Sequence, residues 1–334
     1  MNLTLANTLI NSVNLNGEGP APSPEFIIEV DTTKSGTSNS NQFEFSGAVG
    51  EYDVEAYQND SLVSSFSDLV NQQTITLPSS GIYELRVIPK GAGFDKMKFG
   101  YNVGDRLKLL KILQWGLYGV NEPDQTGAFY YCENITDIAG DGAWFDVVTN
   151  GDNMFRDNNL TSLPAGMDLP NLTNGGGMFA FNSLTSLPES MKLTNLTTQF
   201  SMFFKNNLTS LPEGMELPNL TNGTNMFRLN SLTSLPAGME LPNLTNGNNM
   251  FYNNNLTSLP SGMELPNLAF AYDMFFGNTI NTERYSQLLI DLEANNPNNN
   301  VQFHGGNSKY NTQGEIARNA LLSRGWSITD GGLE

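Results

Sequence analysis

Between residues 154 and 280 the apolar positions return on a fixed interval of 24 residues. Met-Phe pairs stand at Met154-Phe155, Met178-Phe179, Met202-Phe203, Met226-Phe227, Met250-Phe251 and Met274-Phe275. Counted from each Met, Leu follows at +6 (Leu160, Leu184, Leu208, Leu232 and Leu256, with Ile280 closing the column), and again at +9, +15 and +18. A further Met column runs at +13, from Met167 to Met263. One such unit cannot bury its apolar side alone, whereas stacked units place like on like and build a continuous core. A period in the twenties with this many fixed positions predicts a leucine-rich-repeat solenoid. Pro follows the +9 Leu (Pro164, Pro188, Pro212, Pro236, Pro260) and is read as ending a short strand, so each repeat is expected to be one strand plus turns.

Asparagine keeps the same register at +4 (Asn158, Asn182, Asn206, Asn230, Asn254, Asn278) and at +17 (Asn171, Asn195, Asn219, Asn243, Asn267). Such columns suit corners, where a side-chain amide satisfies backbone groups that would otherwise be buried unpaired. That reading is preferred to glycosylation of the recurring Asn-Leu-Thr. A degenerate unit is expected upstream, with Tyr130-Tyr131 placed 24 residues before Met154-Phe155 and Cys132 as a small buried side chain.

Past Ile280 the spacing turns helical. Tyr285, Leu288, Leu289 and Leu292 share one helix face. A strand is expected at 301–303, a second helix opened by a capping box at Thr312-Gln313-Gly314-Glu315 and ended by Gly325, and a last strand at 326–328. Upstream, short strands at 26–30, 42–45, 52–57, 74–77 and 83–87, with Gly/Ser/Asn/Pro turns between them, predict a small β-sandwich. The implied division is a tether or linker at 1–24, a sandwich at 25–95, an N-terminal cap with the degenerate repeat at 96–150, repeats at 151–280 and an α/β cap at 281–334. The overall fold class is thus mainly β. Lys96, Lys98, Arg106, Lys108 and Lys111 read as a solvated edge of the cap, or as a docking patch for an acidic partner.

Several segments resemble the BspA-like leucine-rich-repeat surface proteins of bacteria, bacterial or phage-borne. They are Leu109-Leu110-Lys111-Ile112-Leu113-Gln114-Trp115-Gly116, Gly127-Ala128-Phe129-Tyr130, the Asn-Met-Phe…Leu-Thr-Ser-Leu repeats, and Asn307-Ser308-Lys309-Tyr310…Arg324-Gly325-Trp326. Gly81-Ile82-Tyr83-Glu84-Leu85-Arg86-Val87 is similar to the end of a PKD-type, Ig-like sandwich. The resemblance implies adhesion or recognition without catalysis.

Composition narrows the partners. Sixteen Lys+Arg against 34 Asp+Glu give a net charge of −18. That charge repels nucleic acid and anionic membranes. No apolar run has the length of a membrane span, so membrane insertion is not expected. One cysteine, Cys132, and one histidine, His304, leave no disulfide framework, no cysteine-rich zinc site and no multi-histidine metal site. No cofactor motif is present. Met1 to Glu18 holds no Lys or Arg, and its apolar residues are interrupted by Asn7, Asn11 and Asn14, unlike a secretory signal.

These features favour a non-enzymatic bacteriophage virion fibre or decoration protein. Residues 1–24 would dock on a capsid or tail protein, and the repeats would bind a host-surface glycan or protein. Such fibres are often homotrimers. A bacterial cell-surface adhesin is the second reading. A glycan-degrading enzyme is the third, resting on the carboxylate row at +14 (Asp168, Glu216, Glu240, Glu264). The variable +2 and +3 positions are where a ligand would bind, and Phe181, Phe204, Arg228, Tyr252 and Phe276 are the candidate contacts.

Overall fold

A computed structural model describes residues 23–100 and 103–334. The tether assigned to 1–24 lies almost entirely outside the described residues. The chain begins with β1 (Phe26–Asp31), β2 (Gln42–Glu44), β3 (Val49–Gln58), β4 (Ser61–Val70), β5 (Thr74–Thr76) and β6 (Ile82–Lys96). β7 (Leu109–Gln114) and β8 (Asp137–Ile138) follow. Six of these form one sheet in the order β4-β3-β6-β1-β7-β8, and β2 pairs separately with β5. Phe26, Ile28 and Val30 of β1, with Tyr83, Leu85 and Val87 of β6, alternate into the core as a half-buried sheet requires.

The expected leucine-rich-repeat solenoid with a separate β-sandwich before it is corrected here, while the mainly β character is consistent with the structure. Among the described residues the architecture is mixed and sheet-dominated, with two α-helices, α1 (Thr282–Asn295) and α2 (Thr312–Ser323). The sheet that starts at Phe26 continues through β7 and β8. Between residues 151 and 280 no regular strand or helix forms. Successive 24-residue segments, termed tiers below, meet through isolated parallel bridges: Asn150↔Asn174, Asn174↔Thr198, Thr198↔Asn222, Asn222↔Asn246 and Asn246↔Phe270.

The backbone dihedrals explain why no strand forms. Each tier carries a residue of positive φ immediately before its Met (Asn153, Gly177, Ser201, Asn225, Asn249, Asp273). A second lies three residues after it (Asp157, Phe181, Lys205, Leu229, Asn253, Gly277). Two left-handed residues so close together interrupt the extended path that a strand needs.

The repeated apolar residues are buried. The Phe rings stack tier on tier, with centroids 5.7 Å apart and planes within 7° for both Phe179–Phe203 and Phe203–Phe227. This spine begins at Phe129, which lies flat on Phe155 at 5.4 Å. Phe129, and not Tyr131, therefore occupies the spine position of the degenerate unit. Its N–H donates to Met154, and Tyr131 N–H donates to Arg156. That places Tyr130 and Tyr131 at the +2 and +3 positions, and Cys132, fully buried, at +4.

The +4 amides tie adjacent tiers together. Asn230 Oδ1 accepts from Leu208 N–H at 3.0 Å, and its Nδ2 donates to Phe203 O at 2.9 Å and Phe227 O at 3.1 Å. Asn182, Asn206, Asn254 and Asn278 repeat this arrangement. Asn158 does not: the Ile135 N–H it would meet is taken by Cys132 O, and both of its amide atoms are buried without a partner. Asn230→Ala is expected to cost about 2–3 kcal/mol, since it strands a buried donor and two acceptors. Asn158→Ala is expected to change stability by no more than about 1 kcal/mol. Urea unfolding of the two variants checks the contrast; equal losses would contradict it.

The C-terminal end closes the column with new elements. α1 is capped by Asn281, which accepts from Arg284 N–H. α2 is capped by Asn311, one residue before the expected box, with Gly314 N–H as donor. β9 (Gln302–His304) pairs in parallel with β10 (Ser327–Thr329) and covers the last tier, where Phe275 N–H donates to His304 O. Ser308 Oγ accepts from Ile280 N–H at 2.9 Å and so takes the place of the next column asparagine.

Candidate functional site

The two left-handed residues of each tier bring its variable +2 and +3 side chains onto one face, beside the same positions of the next tier. Arg156 lies over the Phe181 ring at 4.7 Å, and Lys205 lies 5.2 Å from the same ring. Phe181 meets Phe204 edge-on at 5.0 Å. Arg228 stands between Phe204 at 5.7 Å and Tyr252 at 4.5 Å. Tyr252 stacks on Phe276 at 4.7 Å with planes 11° apart, and Phe276 touches the His304 ring at 5.2 Å. The result is an unbroken stripe from Arg156 to His304 in which rings and cations intermix. At the upstream end Tyr130 and Tyr131 face each other at 4.1 Å, and Arg106 lies over Tyr131 at 5.8 Å.

All five residues selected from the sequence lie on this stripe. Phe181, Phe204, Arg228 and Tyr252 are half-buried and Phe276 is exposed. Each of these rings is in contact with neighbours on the stripe and still partly exposed, so it neither fills the core nor hangs free. Arg156, Lys205 and His304 on the stripe, and Tyr130 and Tyr131 beyond its upstream end, were not among the residues selected. Three of the four basic residues between 151 and 280 are on the stripe, a signal legible in the repeat alignment. The tyrosines were missed because the degenerate tier is shifted by two residues.

A second row was also missed. Phe200 and Tyr272 stand two residues before their Met, and Phe270 stands four before. All three are exposed, Phe270 at 62%. Other tiers carry Asp, Gly, Thr or Asn at these positions.

The electrostatics of the stripe are uneven. Arg156 Nε pairs with Asp157 at 3.2 Å, and burial pushes the Asp157 carboxyl above its usual range against the pull of that guanidinium. Burial likewise raises Asp152. The Tyr131 phenol is pushed up to about 12, first by its hydrogen bond with Tyr130.

The remaining candidates lie elsewhere. Cys132 is fully buried, and burial holds its thiol well above the ordinary value. His304 Nδ1 accepts from Gly306 N–H at 3.0 Å. In the +14 row, Asp168 accepts from Leu169 and Lys192 N–H groups. Glu216, Glu240 and Glu264 are exposed and line shallow clefts between tiers. Lys108 departs from the solvated edge expected of it: it is fully buried against Asp105. Among the described residues no group of three or more His, Cys, Asp or Glu side chains is placed to hold a metal ion. No helix among them is long and apolar enough to cross a membrane.

No protein-family model, curated protein or solved structure matches this chain.

Proposed function

We propose that the chain is a non-enzymatic recognition protein, a virion fibre or decoration protein that attaches to a host-surface glycan or protein through the Arg156–His304 stripe. The continuity of that stripe carries the reading. Partly exposed aromatic rings stand at four of the six tiers and arginines at the other two, held in register by backbone hydrogen bonds and the +4 amides, so little side-chain freedom is left to lose on binding. Flat rings with cations between them suit an extended ligand lying along the tiers. The resemblance to bacterial surface proteins points the same way.

The test is retention of purified protein on intact host cells and on their isolated envelopes. Tyr252→Ala combined with Phe276→Ala is expected to weaken binding by about tenfold or more, equivalent to about 1.4 kcal/mol. The melting temperature should stay near that of the parent, because neither ring is part of the buried spine. Unchanged retention would remove the stripe from the binding surface. Immunogold labelling of purified virions tests the virion setting; label on bacterial envelopes alone would assign the chain to a cell-surface adhesin.

A further inference from the structure

We infer that the middle of the stripe, around Lys205 and Arg228, is a subsite for an acidic saccharide, a pyranose ring bearing a carboxylate. This rests on the recognition role proposed above and specifies its ligand. Three observations carry it.

The first is charge. Arg156 is already paired with Asp157. Lys205 and Arg228, on adjacent tiers, have no carboxylate within ion-pair distance among the described residues. The chain as a whole is strongly acidic, but screening at physiological salt limits what a ligand senses to charges within roughly 8 Å. These two cations, neither in an ion pair and Lys205 only weakly drawn to the Asp157 carboxylate that Arg156 already holds, are the local exception to the net charge of −18.

The second is the presentation of Arg228. Tyr252 and Phe204 flank its guanidinium, and Asn225 Oδ1 receives its Nη1 at 3.3 Å. Its Nε is covered and has no acceptor. Flanking rings restrict the guanidinium, and its remaining Nη donors are the ones a carboxylate meets end-on. Lys205, exposed on the preceding tier, adds a second positive charge.

The third is the surround. Phe181, Phe204, Tyr252 and Phe276, partly or fully exposed, offer apolar ring surface on both sides of the two cations. The C–H face of a pyranose packs on such rings, and its carboxylate then reaches the cations. An acidic peptide has no flat apolar face in each residue. A nucleic acid carries a phosphate at every step, and two cations would neutralise too few of them.

The experiment uses the full chain, immobilised, with acidic oligosaccharides built from galacturonate, mannuronate or glucuronate, each beside its carboxyl-reduced, neutral counterpart. At least one acidic member should bind, with its reduced form at least tenfold weaker and binding falling as salt rises. Lys205→Gln combined with Arg228→Gln should lose at least tenfold in affinity for that member while keeping the parent melting temperature. Equal binding of acidic and reduced sugars overturns the inference. So does equal or tighter binding of poly-glutamate or oligothymidylate. Failure of every acidic sugar while the chain still binds host cells overturns the subsite alone. Loss of cell binding as well would sink the recognition role with it.

Discussion

Lys108→Met is expected to lower the unfolding free energy by about 3–5 kcal/mol, read as a shift of the urea midpoint. The ammonium is fully buried and shares its three N–H groups among Ser38 O, Ser38 Oγ, Asn39 O and Gln42 O at 2.7–3.1 Å. Asp105, equally buried, sits 3.3 Å away and accepts from Ser38 N–H, the Ser38 hydroxyl and Glu44 N–H. Removing the cation leaves that carboxylate and three backbone carbonyls uncompensated in the interior. The loop from Ser38 to Gln42, gathered around one nitrogen, would lose its organising contact. Changing Asp105 to Leu in the same chain should recover part of the loss, because the stranded charge goes with it. A fully additive double variant would show that the two residues act independently.

Phe227→Ala should cost a similar amount, about 3–5 kcal/mol. Its ring is fully buried and stacked between Phe203 at 5.7 Å and Phe251 at 5.8 Å, so truncation opens a cavity and breaks two ring contacts at once. Phe227→Leu should cost less, because most of the volume is retained. Hydrogen exchange should show the loss of protection centred on the tiers containing Phe203, Phe227 and Phe251, where each tier leans chiefly on its neighbours. A loss below about 1 kcal/mol would mean that the spine is not under close packing.

Register was legible in the sequence; backbone shape was not. The 24-residue interval predicted which residues are buried, because a column of identical apolar side chains has no other use. It did not distinguish a strand from a run of turns. Leu229 and Phe181 adopt positive φ although nothing in those side chains signals it. β4 was missed because Ser61–Val70 is half polar and mostly exposed. Its local cue was the Asn59-Asp60 pair, both with positive φ, a two-residue hairpin turn that joins β3 to β4. Lys108 was misread because a basic residue among other basic residues looks solvated until Asp105 and the loop carbonyls are seen around it. The stripe residues were found because they vary where their neighbours do not. Their mutual contacts were out of reach, since ring-on-cation distances depend on how high one tier stands above the next.

Because most of the amide, ring and backbone contacts of a middle tier link a residue to its counterpart about 24 positions away, whole tiers are interchangeable parts. Excising or duplicating one complete unit in the coding sequence would rejoin matching surfaces and leave both closing ends as they are. The span of the Arg156–His304 stripe can thus be lengthened or shortened in discrete steps, with no redesign of the interior.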